Sequence, residues 1–280
     1  MSSDPPSRQH ILNAMQKCEE KHGKVVSSVY TEYVARSQIL RHFDSVAEAK
    51  MEAGISNLGA VRSQAMRNQL NQYFEENNFI QDMTIGMLMG DSSATKNTEQ
   101  RNTQIQLELR NREFAEHVRE IYGPLATDVK TYQKNSSDIS YNTESMPIYK
   151  LRTRRLKCFN RFRDDWYMSE NKRYPIEKID MNPVILKYWY ACDGDMATDN
   201  RWNTKHYARI TCNNEDDRRE EVNSLFEGVD FTPNWNDGGR FTFGRYGSIN
   251  FWNYIGRDVP GYQESKCPDT SYFEEDRNQL

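Results

Sequence analysis

No stretch of this sequence is apolar for long enough to cross a membrane, and nothing at its start reads as a signal peptide. The five cysteines (Cys18, Cys158, Cys192, Cys212 and Cys267) are odd in number, scattered, and form no CxxC pair. That argues against both a zinc ribbon and a disulfide framework. Strong charge of either sign is missing too: 37 Lys and Arg against 41 Asp and Glu leave a net charge of −4. Such a total does not by itself point to nucleic acid, although a basic face can hide in a balanced sum. These absences lead us to expect an intracellular, cytoplasmic chain with no membrane partner. Aromatic residues at 12% argue against disorder, and 280 residues suffice for a sizeable core in one or two domains.

Against this background residues 79–93 stand out as an apolar helix that ends in a carboxylate. Asn77 or Asn78 can cap its start. Gly86 and Gly90 lie four apart, so they share one face and leave it almost without side chains. Glycine costs helix stability. Two on one face therefore predict close backbone contact with another element. Asp91 follows at the negative end of the helix dipole, where a carboxylate is unfavourable unless a cation joins it.

The pattern returns at residues 182–195. Asn182 caps, Pro183 takes the first helical position, an apolar run through Cys192 follows, and Asp193 ends it. Two such helices packed together would set Asp91 and Asp193 side by side. Like charges in one place require metal ions or a raised pKa. Asp195 reads as a turn residue or an outer ligand, with the turn favoured.

Each motif is followed by the same plan. After Asp91 comes a polar hairpin, then an alternating strand over 103–110, with Ile105, Leu107 and Leu109 on one face. Gln104, Gln106, Glu108 and Arg110 share the other. After Asp193 the counterpart covers 207–213, with Ala208, Ile210 and Cys212 opposed to Arg209, Thr211 and Asn213. Each strand leads into an amphipathic helix, through Phe114, Val118 and Tyr122 first and Val222, Leu225 and Phe226 second. Strand pairs follow at 129–133 with 148–154 and at 231–235 with 240–243, the latter joined by an Asp237-Gly238-Gly239 turn. A final helix closes each copy. The expected fold is α+β: a tandem pseudo-symmetric αββαββα core, an internal repeat over residues 77–256.

The polar strand faces carry side chains that suit base edges, Arg for guanine and Asn or Gln for adenine. Lys150, Arg152 and Arg154 extend the set in the first copy, and Arg240 and Thr242 in the second. Basic residues crowd the segment from Lys150 to Arg163, which suits phosphate contact. An ordinary solvated strand face is the plainer alternative.

Ahead of this core, residues 8–56 read as a small all-α, helix-turn-helix-like unit, with helices around Ile11–Cys18, Ser27–Tyr33, Ser37–Phe43 and Val46–Met51. Residues 57–76 follow as a linker helix. The two copies then span 77–174 and 175–262, and 263–280 form a polar tail.

The paired motifs, Ile85 to Asp91 and Tyr188 to Gly194, resemble the signatures of the LAGLIDADG homing endonucleases in their single-chain, two-motif form. Ser92, Tyr188 and Cys192 depart from the usual small residues. The N-terminal unit resembles the homing endonuclease-associated repeat, through Tyr30-Thr31-Glu32-Tyr33 and the run from Ile39 to Ala49. The resemblance implies a monomer that hydrolyses double-stranded DNA with Mg2+ or Mn2+ held by Asp91 and Asp193, joined by the carbonyls of Gly90 and Cys192. It implies a lysine near the attacking water, for which Lys172 is the candidate, with a second-half equivalent near Lys266. It implies groove contacts from Ser37, Gln38, Arg41 and His42, and a place at the nucleoid. The alternative is a catalytically inactive regulator, or a maturase with intron RNA as partner.

Overall fold

A computed structural model of the chain describes residues 6–23, 25, 30–55, 58, 64–96, 102–133, 147–168, 171–199, 205–256, 258–259, 261–262 and 266–267. Residues 27–29 of the expected 27–33 helix and most of the 263–280 tail lie outside these residues, and residues 30–33 form a turn in which Tyr33 N and Val34 N donate to Tyr30 O. Among the described residues no helix is long and apolar enough to cross a membrane.

The N-terminal unit is helical. Helix α1 (Arg8–His22) buries Ile11, Leu12, Ala14, Met15 and Cys18 along one face. It stops at Gly23, whose φ of 63° lets its N–H reach Glu19 O. The short α2 (Arg36–Ile39) and α3 (Val46–Glu52, capped by Ser45) complete a separate hydrophobic cluster. The helix read over 37–43 is thus only one turn long. Ala47 and Met51 on α3 also pack against the main core, so the unit is seated on it.

Helix α4 (Gln64–Glu75) covers part of the expected linker. It buries Met66, Leu70 and Phe74 in the main core, with Phe74 edge-on to Phe159 at 4.8 Å. Helix α5 (Asn78–Met89) begins where Asn77 Oδ1 accepts from Ile80 N at 3.1 Å. Strands β1 (Ser93–Thr95) and β2 (Gln104–Leu109), helix α6 (Arg112–Tyr122), strands β3 (Lys130–Gln133) and β4 (Pro147–Arg152) and helix α7 (Asn160–Trp166) finish the first half. The second half is α8 (Pro183–Asp193), β5 (Gly194–Asp199), β6 (Lys205–Thr211), α9 (Arg219–Ser224), β7 (Asn234–Asn236), β8 (Arg240–Thr242) and α10 (Gly244–Ile255).

Both sheets are antiparallel and share one order, β1-β2-β4-β3 and β5-β6-β8-β7. The αββαββα plan therefore occurs twice, as the periodicity requires. On β2 the odd residues Ile105, Leu107 and Leu109 are buried; on β6 Ala208 and Ile210 are. One correction falls on Asp195. It lies on β5, opposite Arg209, rather than in a turn.

The halves meet along α5 and α8. A Cβ on Gly86 would collide with Ile185 O and lie 3.0 Å from Tyr188 Cβ. One on Gly90 would collide with Cys192 Cβ. The bare face of α5 thus receives the bulkier face of α8. The large rings of α8 leave this seam for the two cores: Trp189 and Tyr190 pack with Phe241 and Phe251, while Tyr188 stacks against Phe114 and His117 of the first half.

Candidate metal centre and nucleic-acid interface

Asp91 and Asp193 stand where α5 and α8 end together. A Cβ on Gly90 would lie 3.5 Å from Asp193 Cγ, so the second carboxylate sits against the residue preceding the first. Asp193 is half-buried, and its carboxyl is pushed up to about 7 by burial and then by the charge of Asp91. Asp91 is raised as well, by burial, with the charges of Lys266 and Lys172 acting against that rise. The pair takes up protons as a unit rather than as two independent groups.

Two ammonium groups stand over this pair. Lys172 Nζ donates to Gly90 O at 2.5 Å and to Ser92 O at 3.1 Å. Lys266 Nζ donates to Ala191 O at 2.7 Å and Cys192 O at 3.2 Å. Each lysine therefore binds the carbonyl end of one central helix, the end that favours a cation. Burial lowers both lysines, and the two carboxylates raise them in partial compensation. The equivalence of Lys266 to Lys172 is plain in space. In sequence it rested on one lysine near the end of the second copy.

The donor set is all hard oxygen: two carboxylates and the carbonyls of Gly90 and Cys192. The Cys192 thiol is buried against Gly90 and raised by burial, which leaves its carbonyl, shared with Lys266 Nζ, as the atom that could meet a cation. Among the described residues no group of three or more His, Cys, Asp and Glu side chains could enclose a metal. A cation here would keep water or substrate oxygens in its remaining positions, the habit of magnesium. The raised carboxyl pair is the arrangement a divalent cation relieves, and the residues fit one.

A sheet starts beside each carboxylate, β1 at Ser93 and β5 at Gly194. On the first sheet the register aligns Ser93, Gln106 and Arg152, and next to them Glu108, Lys150 and Lys130. Lys150 pairs with Glu108, and Arg152 Nε donates to Gln106 Oε1 at 3.1 Å. A groove of about 550 Å³ over this edge is lined by Arg67, Lys130, Lys150, Arg152, Arg154 and Arg155, with Asp128 and Tyr132. On the second sheet Asp195, Arg209, Thr242 and Asn234 align, followed by Thr211, Arg240 and Asn236. Asp195 holds Arg209 in a fork, at 2.7 and 2.5 Å.

The remaining sequence candidates are less uniform. Gln104 is buried, and Arg110 is exposed just beyond β2. Arg154 turns back, its Nε donating to Pro124 O at 2.8 Å. Asn213 lies past the end of β6, under the β7–β8 turn; with its amide oriented to satisfy both ends it donates to Gly238 O and Gly239 O. In the N-terminal unit Gln38 Oε1 accepts from Ala35 N at 3.0 Å, and Arg41 is exposed. Sequence reasoning missed Lys130, Tyr132, Asn234 and Asn236. Their strands have few residues, too few for a period of two to declare itself.

Two central helices ending in paired acids, each opening into its own four-stranded sheet, define the LAGLIDADG architecture. A sequence model of the LAGLIDADG DNA endonuclease family matches residues 81–230, more than half of the chain, and the chain belongs to that family. Among solved structures, the homing endonuclease I-WcaI bound to its DNA recognition sequence is similar at 14% identity and a TM-score of 0.58, over 71% of this chain and 90% of that one. The N-terminal LAGLIDADG domain of DUF199/WhiA (9% identity, TM-score 0.37) covers 77% of this chain and 98% of its own. I-SmaMI bound to uncleaved DNA target in the presence of calcium ions (11%, TM-score 0.36) covers 71% and 88%. No curated protein matches the sequence significantly.

Proposed function

We propose that this chain is a site-specific DNA endonuclease that hydrolyses duplex phosphodiesters, acting as a monomer at the nucleoid. The carrying observation is the paired, raised carboxylates Asp91 and Asp193 under two lysine ammoniums, at the junction of two polar sheet faces.

In this reading Asp91 and Asp193 hold divalent metal, magnesium or manganese, with help from the carbonyls of Gly90 and Cys192. Such a cation would acidify the attacking water and stabilise the leaving oxygen. Lys172 and Lys266 supply positive charge where the phosphate becomes more negative. Burial also makes each easier to deprotonate, and a lysine that has first given up its proton could take one from the attacking water, a role exclusive of supplying charge. Residues on and beside both sheet faces contact the duplex: Gln106, Glu108, Arg110, Lys150 and Arg152 in one half, Arg209, Thr211, Arg240 and Thr242 in the other; Gln104, buried, and Arg154 and Asn213, bonded to backbone carbonyls, stand behind these faces. The N-terminal unit adds contacts through Gln38 and Arg41. The basic groove contributes phosphate binding without sequence preference.

The test is digestion of a randomised duplex library, and of the gene's own flanking DNA, with and without magnesium. Magnesium-dependent double-strand cuts at one enriched sequence support the reading. Enrichment by binding with no cut in magnesium or manganese would favour the inactive regulator.

A further inference from the structure

The segment carrying each lysine leaves its own half and is fastened to the other. Lys172, Arg173 and Tyr174 follow α7 of the first half, yet their anchors lie at the start of the β6–α9 connection in the second. Glu215 there is fully buried. Its Oε1 accepts from Tyr174 N at 2.9 Å, and its Oε2 accepts from Arg218 Nη1 at 3.0 Å. Arg218 Nη1 also donates to Tyr174 O at 3.1 Å, so that Glu215 and Arg218 together hold both backbone polar groups of Tyr174. Arg173 forks onto Asp217 at 2.6 and 3.0 Å. The Tyr174 hydroxyl then donates to Met89 O, beside the Gly90 carbonyl that Lys172 binds.

The other lysine shows the mirrored arrangement. Gly261, Tyr262 and Lys266 follow α10 of the second half. Asn111, between β2 and α6 of the first half, is the counterpart of Glu215. Its Oδ1 caps α6 by accepting from Phe114 N at 2.9 Å, and its Nδ2 donates to Gly261 O. Gly261 has φ +75°, and a Cβ on it would lie 2.7 Å from Phe114 N. Tyr262 packs on Phe114 at 5.4 Å, and Lys266 Nζ lies over the Tyr262 ring at 4.2 Å.

Resting on the endonuclease reading, we infer that Glu215 and Asn111 are positioning residues. Each sets the lysine that follows the opposite half, so each strand's cut depends on the connection supplied by the other half. Neither residue touches the reacting atoms. A lysine released by about 1 Å from its place loses rate while the duplex stays bound.

The experiment uses the full chain and a duplex recovered from the randomised library, with the two strands carrying different end labels. Single-turnover rates are measured for each strand. Glu215→Gln keeps an oxygen for Tyr174 N but removes the charge facing Arg173 and Arg218. Asn111→Asp keeps the cap of α6 but replaces the donor to Gly261 O with an acceptor. Each variant is expected to change the ratio of the two strand rates about tenfold, in opposite directions, with duplex affinity within about twofold of wild type. A loss of general integrity would slow both strands alike. Should Glu215→Gln fail to fold, Asp217→Asn weakens the hold on Arg173, which keeps its bond to Asn214 O, and is expected to move the ratio the same way by a smaller factor. Equal slowing of both strands by every folded variant, or no change, overturns the inference. A wild-type chain that cuts no library duplex overturns the endonuclease reading itself, before any variant is made.

Discussion

The core of the first half holds more aliphatic and methionine side chains, alongside rings such as Phe114, Tyr122, Phe159 and Trp166; the second holds more rings. Met83, Met87, Leu107, Val118 and Leu151 are buried in the first. In the second, Trp189, Phe226, Phe231, Phe241, Phe243 and Phe251 pack mostly edge to face, as with Phe231 and Phe243 at 5.1 Å. The same strand order results. Burial pattern and element order set this fold, and side-chain identity is free to drift where only volume matters. The halves agree where chemistry constrains them: Asn77 with Asn182, Asp91 with Asp193, Lys172 with Lys266. They differ in complement at the seam, where a glycine face must meet a filled one. They differ again at the polar faces, where the first sheet aligns Lys130, Lys150 and Arg152 and the second sets mostly neutral side chains beside Arg209 and Arg240.

The largest expected effect tests the agreement. If the carboxylates are equivalent, Asp91→Asn and Asp193→Asn each lower cleavage at least ~1,000-fold, about 4 kcal/mol of barrier. Each keeps specific binding. Nicking of a supercoiled plasmid carrying the site is the assay, and full double-strand cutting by either variant would remove that acid from the mechanism.

Next comes the seam. Gly86→Ala drives a methyl into the Ile185 carbonyl, a backbone atom that cannot rotate away. We expect a loss of about 2–4 kcal/mol in denaturant unfolding. Cys192→Ala removes one buried sulfur from the filled side and should cost only about 1 kcal/mol. Equal costs would mean that the two faces are not complementary.

Much of this was legible in sequence because it repeats. The capping asparagines, the apolar runs and the terminal acids recur at matched places, and alternation on β2 and β6 survives because those strands have one wet face. The position of Asp195 was less legible. Strand β5 starts directly at Gly194, and a helix that passes into a strand without a loop leaves no turn signal. The clamps were invisible. Glu215 reads as one more acid in an acidic run, and only the backbone brings Tyr174 to it. The role of α4 was hidden too, because Met66, Leu70 and Phe74 look alike whether a helix links or packs.

A smaller effect separates the polar faces. Arg152 is exposed and, among the described residues, hydrogen-bonds a neutral glutamine, whereas Asp195 forks onto Arg209. Arg152→Gln should lower the slope of log affinity against log salt by about one phosphate contact, ~0.9. Arg209→Gln should change the slope clearly less while relaxing sequence preference, as expected of an arginine held to read a base. Filter binding across a salt series measures both. A larger slope change at Arg209 would reverse the assignment of phosphate and base contacts between the sheets.

The smallest effect returns to the acids, which agree in place but differ in burial. Unfolded, Asp193 releases its proton near the ordinary carboxyl value of 3.8; folded, it keeps it up to about 7. Between these values the native state binds more protons than the unfolded state, so this group's contribution falls as pH rises. Without metal, wild type should therefore lose stability relative to Asp193→Asn on going from pH 5 to pH 8. The full shift would be worth about 4 kcal/mol, but partial solvent access screens it to about 1–2 kcal/mol, or roughly 4 °C in Tm. Comparing the two proteins cancels the other titrating groups. Asp91→Asn should show the same sign, because it removes the neighbouring charge. Magnesium should then raise the Tm of wild type and recover part of the gap at pH 8, with less effect on either variant. A gap that is independent of pH, and indifferent to magnesium, would mean that the two carboxylates do not share one cation site.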